Sequence, residues 1–247
     1  MDSLNEFYPF LVYGVILCGA SFVFANARKF GHRQPLIISL EGNIGSGKST
    51  LLAEMKEKFK HNTNIAFLPE PVDTWNTITD AKGVTILEKY YKNQTKYAFP
   101  FQMMAYISRL ALLREALKCN YDIIITERSI YTDRNVFAKM LHDDEKIEDV
   151  NYAIYLRWFE EFIEDLPPIK FVYINTYPGI ALERVEMRAR PGETIPLQYL
   201  QNCHAYHNRW INNTDSANVL TLDGNVDVTK CPEILDDWLL EIERFMY

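Results

Sequence analysis

The chain has 247 residues, enough for one α/β domain with a full core, and its 48% hydrophobic and 24% charged residues are those of a globular protein. A formal net charge of −7 argues against a nucleic-acid-binding surface. Cys18, Cys119, Cys203 and Cys231 form no C-x-x-C pair and the five histidines show no metal-ligand spacing, which speaks against a disulfide framework or zinc site and suits a reduced compartment.

Residues 7–27 carry no charge and are mostly apolar, and a bilayer crossing needs about 20 such residues. Asp2 and Glu6 precede them, and Arg28, Lys29 and Arg33 follow. The positive-inside tendency then predicts an N-terminal hydrophobic helix that anchors the rest of the chain on the cytoplasmic side. The missing basic n-region disfavours a cleaved signal peptide, and the early acids disfavour a mitochondrial presequence. A competing reading is an extension with no membrane role. The expected organisation is thus a hydrophobic segment, 1–34, and a folded domain, 35–247.

An apolar run at 36–40 reads as the first strand. Directly after it comes G-x-x-x-x-G-K-[ST], spelled Gly42, Asn43, Ile44, Gly45, Ser46, Gly47, Lys48, Ser49, with Thr50 next. Helical spacing of Leu51, Leu52, Met55 and Phe59 follows. Strand, glycine loop and helix together predict a phosphate cradle. Backbone N–H groups wrap the anion, Lys48 neutralises the outer phosphates, and the Ser49 hydroxyl ligates Mg²⁺. Further apolar runs at 65–68, 123–125, 171–174 and 219–222 read as four more strands, separated by helices. Their near-continuous apolar character predicts a doubly wound, five-stranded parallel sheet flanked by helices.

Ligands bind at the carboxyl ends of such strands. That rule gathers the glycine loop, Glu70 after strand two, Glu127 and Arg128 ending strand three, and Arg184, Arg188 and Arg190 after strand four. The guanine-reading N-K-x-D is missing. Glu127 completes a magnesium shell with Ser49, or else pairs with Arg128 at the strand end.

Residues 41–50, Glu70-Pro71-Val72 with Trp75, Phe101-Gln102, Glu127-Arg128-Ser129 with Asp133-Arg134, and Arg188-Ala189-Arg190 with Glu193 occur in that order. This ordered set resembles the deoxyribonucleoside kinases, the family of deoxycytidine, deoxyguanosine and mitochondrial thymidine kinases, from residue 35 to the C-terminus. The resemblance implies a homodimer that uses ATP and Mg²⁺ to phosphorylate the 5′-hydroxyl of a deoxynucleoside. It makes Glu70 the general base, with Arg128, Lys48, Arg188 and Arg190 stabilising the transferring phosphoryl group. Gln102 pairs with the nucleobase, Phe137 stacks on it, and Trp75, Leu87 and Phe101 form apolar walls. Arg109 with Asp133, beside the small Ala105, favours deoxycytidine, deoxyadenosine or deoxyguanosine over thymidine. Tyr91 with Glu193 holds the sugar 3′-hydroxyl, although the adjacent Tyr90 leaves that register open. Arg184 stacks on the donor adenine, beside a loop at 223–227 that includes Asp227. Pro191-Gly192 departs from the family's polar lid. Two other readings are a thymidylate-type monophosphate kinase and a membrane-tethered nucleotide-binding protein without turnover.

Overall fold

Ile37 to Gly42 are all buried, a state open only to a strand covered on both faces, and this strand is the middle of the sheet. The computed structural model describes residues 34–190, 193–228 and 230–247, and the chain from Pro35 to Tyr247 forms one compact unit. The expected membrane segment, 7–27, lies outside the described residues. No helix among the described residues is long and apolar enough to cross a membrane.

The elements run β1 (Leu36–Gly42), α1 (Lys48–Lys58), β2 (Ile65–Leu68), α2 (Val72–Asn76), α3 (Ile86–Lys92), α4 (Gln94–Leu117) and β3 (Ile123–Glu127). A short turn α5 (Ile130–Thr132), a π-helix (Asp133–Ala138), α6 (Lys139–Asp143) and α7 (Asp149–Ile163) follow. The chain ends with β4 (Ile169–Asn175), α8 (Pro178–Arg188), α9 (Leu197–Asn212), β5 (Val219–Asp223) and α10 (Pro232–Met246). All pairings are parallel, in the order β2-β3-β1-β4-β5. The chain leaves β1 towards one edge and later crosses to the other, so the loops at the carboxyl ends of β1 and β3 diverge and open a crevice.

All five expected strands are present, four of them longer than their apolar runs, β5 by the single residue Asp223. β1 continues through Glu41 and Gly42, β3 through Thr126 and Glu127, and β4 is longer at both ends. Backbone pairing such as Leu40 with Glu127 and Gly42 with Ile174 needs no apolar side chain. The ladder therefore carries Glu127 to the edge of the crevice.

Alternate residues of β1 serve opposite faces. Ile38 and Leu40 pack with Leu51, Leu52 and Met55 of α1 and Trp238, Leu239 and Ile242 of α10. Ile37 packs with Leu113 and Ala116 of α4. Farther out on α4, Tyr106 and Leu110 meet Tyr155 and Phe159 of α7. The buried stripe of α4 also contains Gln102, Ala105 and Arg109, spaced three and four apart and so on one face. Polar groups in a buried stripe point to a ligand-facing wall rather than to core alone.

Candidate active site

Two loop glycines let the segment after β1 close tightly. Gly42 has φ 144°, and a Cβ there would lie 2.7 Å from the Ile174 carbonyl. Gly45 has φ 79°, and its Cβ would lie 2.4 Å from the Ala181 carbonyl of α8. Helix α1 begins with no side-chain cap, so its first N–H groups remain available to an anion. Lys48 is buried, with Nζ donating to the Asn43 carbonyl at 2.6 Å and the Ser46 hydroxyl at 3.3 Å. Burial, then the nearby Arg128 charge, lowers its pKa to about 7, against the pull of Glu127, Glu70 and Glu41. Ser49 Oγ donates to Glu127 Oε1 at 2.5 Å. A hydroxyl beside a carboxylate at the mouth of a phosphate loop is the hard-oxygen donor set that suits Mg²⁺.

Opposite the loop, Glu70 lies between two arginines. Its Oε1 is 3.0 Å from Arg109 Nη2 and 3.2 Å from Arg128 Nε. Burial raises its pKa, but Arg128, Arg109 and Lys48 outweigh burial and hold it at about 2. Arg109 also donates Nε to Asp133 Oδ2 at 3.0 Å and Nη1 to the Glu127 carbonyl at 2.9 Å. Asp133 shares that one guanidinium with Glu70. Burial pushes it up to about 6, helped by the Glu70 charge and opposed by Arg109 and Arg128. Arg128 donates Nη1 to the Gly42 carbonyl at 2.7 Å, and its backbone adopts φ 63°, rare for a non-glycine residue.

These charges and the glycine loop line one cleft of about 610 Å³, which an aromatic wall completes. Trp75 meets Phe101 edge-on at 5.6 Å, and Tyr90 stacks on Phe101 at 4.5 Å. Trp75 Nε1 is satisfied by Ser108 Oγ at 2.8 Å, which fixes the indole. The Arg128 guanidinium lies 5.0 Å from the Phe137 ring centroid. Gln102 is buried, and its Oε1 has no hydrogen-bond partner among the described residues. An amide oxygen in that condition calls for a ligand donor. Burial, then the charges of Glu193, Tyr90 and Glu70, push the Tyr91 hydroxyl pKa up. Tyr90 instead spends its hydroxyl on Tyr199, at 2.9 Å. Tyr90 and Tyr91 both line the cleft, and they differ in that the Tyr90 hydroxyl is bonded to Tyr199.

At the outer end, Arg184 donates to the carbonyls of Gly224 and Val226 at 2.9 and 3.0 Å, so the 223–227 loop grips its edge. Arg188 pairs with Glu193 at 2.6 Å. All the residues singled out from sequence line this cleft except Gly42 and Asn43. Asn43 turns its side chain inward: Nδ2 donates to the Leu200 carbonyl at 2.9 Å and Oδ1 accepts from Ile44 N at 2.9 Å. Its side chain is therefore structural, and Gly42 serves by its conformation. Glu127 does not pair with Arg128; its carboxylate goes to Ser49.

Sequence reasoning missed Tyr199, which lines the cleft from α9, and Met187, Leu235 and Trp238 at its outer end. The helical spacing of Tyr199, Leu235 and Trp238 marks them as core, whereas Met187 is an exposed residue of α8.

A phosphate loop facing, across one cleft, an ionised carboxylate and an aromatic chamber is the arrangement of a phosphotransferase for a small aromatic acceptor. Residues 38–246 match the family described as deoxynucleoside kinase, and the chain belongs to that family of nucleotide-salvage enzymes. A probable deoxycytidine kinase of fowlpox virus (strain NVSL) is 35% identical over 196 residues, 77% of this chain and 78% of the viral one. Deoxycytidine kinase 2 of Gallus gallus is 31% identical over 244 residues, covering 85% of this chain and 89% of the avian protein. Deoxycytidine kinase of Homo sapiens is 31% identical over 221 residues, 77% and 84% of the two chains. With the family assigned, the reading without turnover is set aside.

Because Arg109 is the cation in contact with buried Asp133, Arg109→Met should cost about 3–5 kcal/mol of folding stability in urea titration. Adding Asp133→Ala should recover part of that loss; strictly additive losses would contradict the pairing.

Proposed function

We propose that this kinase transfers the γ-phosphoryl group of ATP to the 5′-hydroxyl of a deoxynucleoside, with deoxycytidine and the deoxypurines preferred over thymidine. One observation carries the reading. The Arg128 guanidinium contacts Glu70 at 3.2 Å and the Gly42 carbonyl at 2.7 Å, so acceptor carboxylate and phosphate cradle are held by a single side chain. A hydroxyl bonded to Glu70 would lie close to the outermost phosphate in the cradle.

With a pKa near 2, Glu70 is a weak base that stays ionised. That suits a loose phosphoryl-transfer transition state, in which the attacking oxygen becomes acidic only late. Glu70 first orients the hydroxyl by accepting its hydrogen bond and then takes the proton as the oxygen–phosphorus bond forms. Lys48, Arg128, Arg188 and Arg190 face the charge on the moving group, and closure of the segment carrying the last two would exclude water. Ser49 and Glu127 would hold Mg²⁺, which when bound neutralises β- and γ-phosphate oxygens. At the outer end Arg184 and the 223–227 loop would receive the donor base.

On the acceptor side, Gln102 and the carboxylate of Asp133 read the base edge. An ionised Asp133 accepts from an exocyclic amine, which cytosine and adenine carry and thymine lacks. The deoxycytidine-kinase relatives support the same preference. Tyr91 and Glu193 are the candidates for the 3′-hydroxyl. The reading includes a homodimer: the outer faces of α4 and α7, which pack together through Tyr106 and Tyr155, leave Ile107, Val150, Ile154 and Trp158 exposed. Sedimentation should show two copies, and Trp158→Glu should give one copy; a wild-type monomer at all concentrations would refute it.

Glu70→Gln keeps the size and hydrogen-bonding reach of the side chain but removes the proton acceptor. It should lower kcat by about 10²- to 10⁴-fold while deoxycytidine binding by calorimetry changes little. Full turnover in the variant would end the assignment of the base. For pH, Asp133 is protonated as pH falls through about 6 and then loses its acceptor role. The KM for deoxycytidine should therefore rise below that pH while kcat, governed by Glu70, stays level. A kcat limb near 6 with a flat KM would assign the titration to another group.

A further inference from the structure

Glu41 is fully buried, yet none of the roles above uses it. Its Oε1 accepts from Ser39 Oγ at 2.7 Å and Ser129 Oγ at 2.6 Å, and its Oε2 accepts from Thr132 Oγ1. Among the described residues no cation is in ion-pair contact with it. A buried carboxyl group is costly, and an apolar β-former would fill a central strand position without that cost. Something other than strand formation accounts for it.

The placement of its partners is informative. Ser129 directly follows Arg128, and Thr132 directly precedes Asp133. On either side of Glu41 in β1, the Leu40 carbonyl accepts from Arg128 N at 2.9 Å and the Gly42 carbonyl accepts from Arg128 Nη1 at 2.7 Å. Three consecutive residues of β1 thus receive four bonds from the segment 128–132. That segment contains the left-handed backbone of Arg128 and leads into the π-helix bearing Asp133 and Phe137. Both features are strained or irregular, and persist only where surrounding contacts over-determine them.

We propose that Glu41 is a positioning residue that clamps the 128–133 segment to β1, and so sets the register of the nucleoside subsite against the phosphate cradle. The proposal rests on the deoxynucleoside-kinase reading for its kinetic consequence, but not for the clamp itself. Glu41→Gln preserves shape and lets the hydroxyls rotate to new partners, while replacing charge-assisted bonds with weaker neutral ones. Thr132→Val cuts one tether and leaves the carboxyl in place, which keeps the question answerable if the glutamine variant folds poorly.

Each substitution should raise the KM for deoxycytidine about 10-fold and leave the KM for ATP unchanged. The double variant should be little worse than the more damaging single one, because both act on one clamp. Independently of turnover, amide hydrogen exchange in 129–138 should accelerate in both variants while β5 and α10 keep wild-type rates. Unchanged KM values with a lowered melting temperature, or exchange that accelerates throughout the chain, would overturn the proposal and leave Glu41 as a packing residue only. If the wild-type enzyme phosphorylates no deoxynucleoside, the substrate reading falls, and the exchange measurement alone decides the clamp.

Discussion

The Arg128 side chain is the constraint on which the site depends. It touches the last carbonyl of β1 and the carboxylate of Glu70, whose chain segments leave the sheet from non-adjacent strands. Phosphoryl transfer asks little covalent chemistry of a protein and a great deal of positioning. A bifurcated guanidinium, rigid and always charged, can fix two groups at once where a lysine ammonium would serve as a point charge. The left-handed backbone at Arg128 is the conformational cost, of order 1–3 kcal/mol, of aiming that side chain back across the strand end.

A second arginine holds two carboxylates at once. Arg109 reaches Glu70, Asp133 and the Glu127 carbonyl from one position on α4. Two carboxylates around one cation cannot be equally stabilised. Glu70, which also has Arg128 and Lys48, is held low, while Asp133 is left high. The environments separate two chemically similar acids into one held ionised at neutral pH and one whose pKa is raised to about 6. Glu70 and Asp133 are therefore electrostatically linked through a single residue, so that a change at Arg109 is felt by both carboxylates.

Much of this was legible in the sequence. The five strands follow from apolar runs, and the cradle follows from glycine spacing between a strand and a helix. The rule that ligands sit at strand ends brings Glu70, Glu127 and Arg128 to one edge. What escaped has a common cause. Tyr199 lies on an amphipathic helix whose period marks it as core, and only the third dimension reveals that its hydroxyl ends against Tyr90 in the cleft. Glu41 sits inside a strand where alternation gives no reason for an acid. Asn43, within the glycine motif, looks like a ligand but is spent on Leu200 of α9, 157 positions away. The π-helix at 133–138 leaves no periodic mark, because it is a local widening of an otherwise helical stretch.

The amino-acid order by itself determined the sheet, its parallel winding, the phosphate loop and the family, because these rest on local periodicity and on short motifs whose backbone needs are met within a few residues. Tertiary structure alone decided which tyrosine is spent inside the protein and which carboxylate is held ionised, and that Glu127 turns to Ser49 instead of Arg128. These outcomes depend on desolvation and on partners contributed by distant segments, and the strength of a charge or hydrogen bond is fixed only once water has been excluded around it.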